Sequence, residues 1–350
     1  MERSVLQNEI ERLVYSEYRQ MQPPETLKPS AEYLMKLAKG YINMGDDGER
    51  LVSVAYYADD IVPRLSKLRV CKENVKVLSL NLMTMEFLAD MLVFREYRDI
   101  GSFEYVIGKY LRLQQDDKDN VGFVRFFSWL YSQYKDQPRY DYTKHLARAV
   151  AGCAFLVMHE WSHTQEDLIG NIMPLLDSTE EIKPCYTNDQ GEEDPETKIE
   201  ICCDFNALEL CAASHVENLF GLTRREFLRV ALLASFVPAL YKELKKVFWV
   251  NTRGKKELIE ELKKSMKSRV TAICILIKIA QNSKNMYYED QDIDTAMEEF
   301  AVIQEWLNMN SDYLINHLQK RADFYNALPE EERAQVELYN FQGNHWSLLA

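Results

Sequence analysis

The chain has 350 residues, of which 47% are hydrophobic and 28% are charged, a composition typical of a soluble globular protein. Its 12 glycines and 10 prolines are few for this length, which favours long helices over a turn-rich β architecture. The net charge of −13 argues against broad electrostatic binding to nucleic acid or to an anionic membrane.

In chain order, the spacing of apolar residues is mostly helical. It predicts helices over about 4–21, 32–43, 84–95, 103–113, 121–134, 142–165, 196–220, 225–247, 255–282 and 293–327. Two short segments rich in Val, Tyr and Leu, ERLVSVAYYA and NVKVLSLNL, are typical of strands. Thr223-x-x-Glu226 is a capping box that opens the helix over 225–247, in which Pro238 predicts a kink. We therefore expect a mainly α fold with a small β-sheet.

Two arrangements of domains are compatible with this pattern. In one, residues 1–140 form an N-terminal helical region with the small sheet, and residues 141–350 form a second helical region. In the other, the whole chain is one continuous domain.

The sequence also predicts where the protein resides. No uncharged run is long enough to cross a bilayer, and the N-terminus lacks the apolar segment of a signal peptide. The seven cysteines show no disulfide-type spacing, so we expect reduced thiols in a cytoplasmic protein that does not bind membranes.

Two charged segments interrupt the pattern. TNDQGEEDPETK, at 187–198, predicts a mobile solvated connector, with a lid over a site as the alternative. Ten basic residues cluster in the acidic chain, and most simply they form a solvated helix face; docking of an acidic protein partner is the alternative. They are Lys242, Lys245, Lys246, Arg253, Lys255, Lys256, Lys263, Lys264, Lys267 and Arg269.

The stretch FLVMHEWSHTQED contains an HExxH motif made by His159, Glu160 and His163. Residues four apart lie on one face of a helix, so both imidazoles can point at a single ion. Glu160 is placed to reach a water on that ion, whose pKa zinc lowers toward neutrality, and to take its proton during attack on a carbonyl.

A catalytic zinc normally takes three protein ligands, and the third is predicted downstream in IEICCDFNALEL. There Glu200 and Asp204 are four residues apart, on one face of an otherwise apolar helix. Two carboxylates in such a place are costly unless they meet a cation or hydrogen-bond donors. Glu200 is therefore the predicted third ligand, and Asp204 the predicted acceptor for the second N–H of a ligand histidine.

HExxH followed by E-x-x-x-D resembles the gluzincin class of zinc metallopeptidases. The segment from Glu200 to Ala207 is similar to the E-x-x-A-D-x-x-A pattern of Ste24/HtpX-type peptidases, with Cys203 in place of the first Ala. It also resembles the second motif of soluble bacterial peptidases of the Lit and ImmA types. The resemblance implies a zincin-like helical core, one Zn²⁺ held by His159, His163 and Glu200, Glu160 as catalytic base, and Asp204 behind the ligands.

Two functions remain open from the sequence. The first is a soluble intracellular zinc endopeptidase that acts on a peptide or protein, with the edge of the small sheet aligning the substrate. The second is a non-catalytic, mostly helical interaction protein in which HExxH is structural or degenerate. For the first, the donor that stabilises the oxyanion is unassigned among the tyrosines and the remaining histidines, His145, His215, His317 and His345.

Overall fold

The computed structural model describes residues 3–17, 24–42, 50–58, 64–70, 73–113, 121–188, 190–246, 252–282 and 288–335. Within these ranges the chain is mainly helical, with one small β-sheet, as the sequence predicts. None of the described helices is both long enough and apolar enough to cross a membrane.

Fourteen α-helices and three strands lie in the described ranges. The helices are α1 (Arg3–Glu17), α2 (Lys28–Ile42), α3 (Leu82–Tyr97), α4 (Ile100–Leu111), α5 (Val121–Ser132), α6 (Leu146–His163), α7 (Glu166–Ser178), α8 (Pro195–Ala213), α9 (Val216–Leu219), α10 (Arg224–Lys246), α11 (Thr252–Asn282), α12 (Asp290–Asn316), α13 (Leu318–Ala327) and α14 (Glu330–Ala334). The strands are β1 (Arg50–Tyr56), β2 (Arg64–Val70) and β3 (Glu73–Asn81).

The sheet has the order β1-β3-β2, so β3 is central and the other two strands form its edges. β1 runs parallel to β3, and β2 runs antiparallel to it. The two segments predicted as strands are β1 and β3, whereas β2 was not predicted. Its sequence, RLSKLRV, carries three basic residues and so lacks the apolar composition that marks the other two strands.

Successive side chains of a strand point to opposite sides of the sheet. Here both sides contribute residues to a hydrophobic core. Val52 and Val54 belong to a small core with Leu6 and Ile10 of α1. On the opposite face, Leu78 belongs to the main core. β2 also contacts α6, which brings one edge of the sheet beside the helix that carries HExxH.

Helix α6 lies at the centre of the main core and packs against α2, α3, α8 and α10. Gly152 makes the closest of these contacts possible. A Cβ atom at this position would lie against the side chain of Leu88 in α3 and 2.8 Å from Cγ1 of Val230 in α10. The main core includes residues from Leu27 to Tyr325, so it draws on both halves of the chain.

Several helix boundaries differ from the predicted ones. α8 ends at Ala213, and His215 adopts a left-handed conformation with φ 51° before the short α9. The predicted helix over 196–220 is therefore two helices, and His215 does not share the face of Glu200 and Asp204. The predicted helix over 293–327 is likewise interrupted at His317, between α12 and α13. α7 was not predicted.

The capping box that opens α10 is confirmed. The backbone N–H of Thr223 donates to the Glu226 carboxylate at 2.9 Å, and the Glu226 N–H donates to Oγ1 of Thr223 at 3.2 Å. Pro238 lies inside the helix that this box begins. The six cysteines in the described ranges are all buried and form no disulfide with one another.

Candidate metal centre

The HExxH motif occupies the last turn and a half of α6. His159 is buried, whereas the His163 side chain keeps 30% of its surface exposed. Their Nε2 atoms face each other 3.1 Å apart. One face of the helix thus presents two imidazole nitrogens to the same point, as the four-residue spacing predicts.

Glu200 reaches this point from α8. Its Oε2 lies 3.3 Å from Nε2 of His159, and its Oε1 lies 3.4 Å from Nε2 of His163. One ligand atom from each of the three residues lies within 4.8 Å of the other two. Two imidazoles and a carboxylate form a donor set that suits zinc, so the residues present fit such an ion.

Asp204 lies behind His159, on the side away from the three converging atoms. It has no exposed surface, and its Oδ1 lies 2.9 Å from Nδ1 of His159. The contact has the distance of an ion pair, but it is not aligned as a hydrogen bond. Burial opposes a charge on His159, but Asp204 and Glu200 outweigh it and raise the pKa of this histidine to about 9.

In Glu200, too, burial and the neighbouring charges oppose each other, and the result is a lowered pKa. Burial favours its neutral form, but the hydrogen bonds from His159 and His163, with their charges and that of Arg269, hold the pKa of Glu200 well below its usual value. The carboxylate is therefore ionised, the state in which it can bind a metal ion.

Arg269 of α11 completes the arrangement and was not predicted to be near it. Its Nε and Nη2 donate to Oδ2 of Asp204 at 2.8 and 2.6 Å, and Nη2 lies 3.6 Å from Oε2 of Glu200. The sequence placed this arginine in a solvated basic face. That interpretation is wrong for Arg269, because its side chain points into the protein and is only 15% exposed.

Glu160 is partly buried and follows the first histidine of the motif. Burial raises the pKa of Glu160; the nearby positive charges of His159, His163 and Arg64 counteract this increase, and Glu200 adds to it. A carboxyl group in this position can accept a proton and give it back.

Helices α6 and α8 are also joined by a buried polar contact at Ser162, the neighbour of His163. Nδ2 of Asn206 donates to Oγ of Ser162 at 2.8 Å, and Oγ of Ser162 donates to the Met158 carbonyl at 2.8 Å. All these groups are buried. Ser162 is one of the variable positions of HExxH, so the motif itself also carries a contact to the helix of Glu200.

Comparison with protein-family models, with curated proteins and with solved structures returned no match.

The other described histidines lie elsewhere. Nε2 of His145 is 3.0 Å from Glu96, and His215 and His317 are 3.6 and 3.8 Å from Glu217 and Glu104 respectively. None of the three belongs to the cluster of possible metal ligands found in the described residues. His345 lies outside the described residues, and the donor for an oxyanion stays unassigned.

The acidic segment before α8 has a defined conformation in its described residues. Thr187 pairs with Glu193 in an isolated bridge, and the Asp194 side chain accepts hydrogen bonds from the first turn of α8. Nζ of Lys198 contacts Asp177 of α7 and lies 3.2 Å from Glu193. The segment therefore fixes the start of the helix that carries Glu200.

Part of the basic cluster can be located. Lys242, Lys264 and Lys267 are exposed, and Lys263 pairs with Glu260 one turn earlier. The side chains of residues 245–256 lie outside the described residues. A solvated face fits the exposed members, and a docking role stays a prediction.

Proposed function

We propose that the protein is a zinc-dependent endopeptidase of the gluzincin type, with one zinc ion per chain. The observation that carries the proposal is the convergence of His159, His163 and Glu200 from two separate helices, with Glu200 37 residues beyond His163 in the sequence. Chance placement of HExxH does not explain why a separate helix brings a carboxylate to the same point. The buried, unpaired cysteines of the described ranges favour the cytoplasm.

The three converging side chains would hold the metal through Nε2 of each histidine and the carboxylate of Glu200. When bound, zinc supplies Lewis acidity, which acidifies a water molecule and polarises a carbonyl group. Oδ1 of Asp204, 2.9 Å from Nδ1 of His159, favours a proton on Nδ1, so that Nε2 would keep its lone pair for the ion.

Glu160 acts as the catalytic base. Its carboxylate takes a proton from the water that attacks the scissile carbonyl, and it then returns that proton to the leaving amine. Glu160 receives this proton in the first step, so the second step needs no separate proton donor.

An extended peptide substrate would lie along β2. This strand is an edge of the sheet, pairs with β3 on one side, and contacts α6. Its outer backbone groups can pair with a peptide, which gives affinity largely independent of sequence. Arg64 begins β2 and its charge reaches Glu160, so the start of this strand lies on the side of the catalytic base.

Metal content and hydrolysis test the proposal together. We expect about one zinc per chain by elemental analysis of the purified protein, and cleavage of a proteome-derived peptide library detected by mass spectrometry. Glu160→Gln should keep the zinc and abolish cleavage, whereas His163→Ala should lose the zinc. Glu305→Gln on α12 is the matched control, because it removes a carboxylate that only faces Arg98 at 3.9 Å.

Two results would reject the proposal. A metal-free wild-type protein that takes up no added zinc would favour the non-catalytic interaction protein instead. Cleavage retained by His163→Ala would show that the hydrolysis does not depend on this centre.

A further inference from the structure

Arg269 is the only residue of the basic segment, among its described side chains, that contacts the candidate centre. It lies on α11, 65 residues beyond Asp204, and no motif of the sequence includes it. We propose that Arg269 is a positioning residue of the metal centre, which acts through Asp204 on His159 and holds both ligand helices in their binding geometry. The inference rests on the proposed function.

The first argument is that the two carboxylate oxygens of Asp204 have different partners. Nε and Nη2 of Arg269 both donate to Oδ2, which leaves Oδ1 to face Nδ1 of His159 at 2.9 Å. A carboxylate held at one oxygen by two donors cannot rotate freely. The position of Oδ1, and through it the orientation of the imidazole, therefore depends on Arg269.

The second argument is charge. Asp204 has no exposed surface, and Glu200 and Glu160 are both partly buried beside it. A divalent cation alone would leave one negative charge in excess among these three carboxylates. The guanidinium supplies a positive charge at Asp204 and near Glu200, and the charge of Arg64 reaches Glu160, so Arg269 is the counter-charge of the two carboxylates on α8. Uncompensated buried charge is costly, which is why this pair of carboxylates needs its counter-charge.

The third argument is that the site suits arginine rather than lysine. The guanidinium lies 5.5 Å from the ring centroid of Phe236 in α10, and it approaches Glu200 at 3.6 Å while bound to Asp204. A planar fork can make several contacts with fixed directions, whereas an ammonium group is a point charge. Arg269 thus joins α8, α10 and α11 around the centre.

Zinc affinity, measured by competition with a chromophoric chelator, tests the inference without any substrate. We expect Arg269→Met to weaken zinc binding by about 10- to 100-fold, the range found for groups that orient metal ligands. Arg269→Lys should recover part of this loss, since it restores the charge but not the two directed hydrogen bonds. The d–d spectrum of the Co²⁺-loaded protein should shift in Arg269→Met, because ligand orientation changes.

A double-mutant cycle distinguishes positioning from general stability. If Arg269 acts through Asp204, then adding Arg269→Met to an Asp204→Asn protein should change zinc affinity by no more than about twofold. Arg95→Met is the matched control, because Arg95 also binds a buried carboxylate, that of Glu299, through Nε at 2.7 and 2.8 Å, outside the centre. This variant should bind zinc as the wild type does.

Three outcomes would overturn the inference. In the first, Arg269→Met and Arg269→Lys bind zinc within twofold of the wild type. In the second, Arg269→Met weakens zinc binding equally in the wild-type and in the Asp204→Asn protein. In the third, Arg95→Met weakens zinc binding as much as Arg269→Met does. In all of these the wild type still binds zinc, and the proposed function stands. A wild type that binds no zinc instead rejects the proposed function, and the inference with it.

Discussion

Asn206 and Ser162 form a buried hydrogen bond, with Nδ2 2.8 Å from Oγ, between the helix of Glu200 and the helix of His159 and His163. Both side chains are buried. The contact fixes the rotation of α8 against α6, and this rotation decides whether Glu200 faces the two imidazoles. The amide is therefore part of the geometry of the centre, although it touches none of its ligand atoms.

We predict that Asn206→Ala lowers the free energy of unfolding by about 1–3 kcal/mol, because it removes a buried hydrogen bond and leaves a small cavity. Urea denaturation of the zinc-free protein measures this loss. The control is Asn308→Ala, an exposed asparagine on α12, which should change stability by less than about 0.5 kcal/mol. Equal stability of the two variants would contradict the structural role of Asn206.

Zinc should stabilise the folded chain by mass action, because the ligand atoms converge only in the folded state. Free zinc at 100 times its dissociation constant is expected to add about 2.7 kcal/mol to the free energy of unfolding. A chelator should reverse the effect. Thermal unfolding with and without zinc measures it, and His163→Ala should show no such increase. A similar increase in His163→Ala would place the bound zinc elsewhere.

His159 and His163 could be paired from the sequence alone, since a spacing of four residues puts two side chains on one face of a helix. Glu200 and Asp204 were predicted from the same four-residue spacing, together with the otherwise apolar composition of their helix. Arg269 was not, since its partner lies 65 residues away and no local pattern reports a contact of that range. Its neighbours are exposed lysines, which made a solvated face the natural interpretation.

In the fold, too, local sequence predicts some elements and misses others. β1 and β3 have the branched and apolar residues of buried strands, whereas β2 has a basic composition and is a strand because β3 offers it a partner. The end of α8 was missed because His215, a residue other than glycine, adopts a left-handed conformation there. Local propensity gives no signal for that choice.

Gly152 offers a test of the packing at the centre of the fold. We predict that Gly152→Ala destabilises the protein by about 1–3 kcal/mol, because the new methyl group would meet Leu88 and Val230. Gly170 in α7 is the matched control, since a Cβ there would have no heavy atom within 4 Å. Gly170→Ala should stabilise by up to about 1 kcal/mol through helix propensity. Opposite signs in chemical denaturation would confirm the close approach of α6, and equal signs would contradict it.

Lys109 of α4 is a buried cation whose carboxylate partners lie on the neighbouring helix α3. Its Nζ lies 2.7 Å from Glu86 and 2.8 Å from Asp90, and the Asp90 carboxylate also accepts hydrogen bonds from Tyr105 and Tyr110. Removal of one partner of such a group leaves buried charge without compensation. We predict that Lys109→Met costs about 3–5 kcal/mol at pH 7.5, while Lys144→Met, at an exposed pair with Glu96, costs about 1 kcal/mol or less.

The loss in Lys109→Met should depend on pH in one direction. Burial raises the pKa of Asp90 above its usual value even with Lys109 beside it, and the positive charge of Lys109 opposes the increase. Without that charge the pKa rises further, so the folded variant binds protons that the unfolded chain releases. Such a group contributes stability below its unfolded pKa, and this contribution is lost as pH rises through the folded value. The variant should therefore be closer in stability to the wild type at pH 5 than at pH 8, by urea denaturation at each pH. A difference that stays constant or grows toward pH 5 would show that buried carboxylate charge is not the cause.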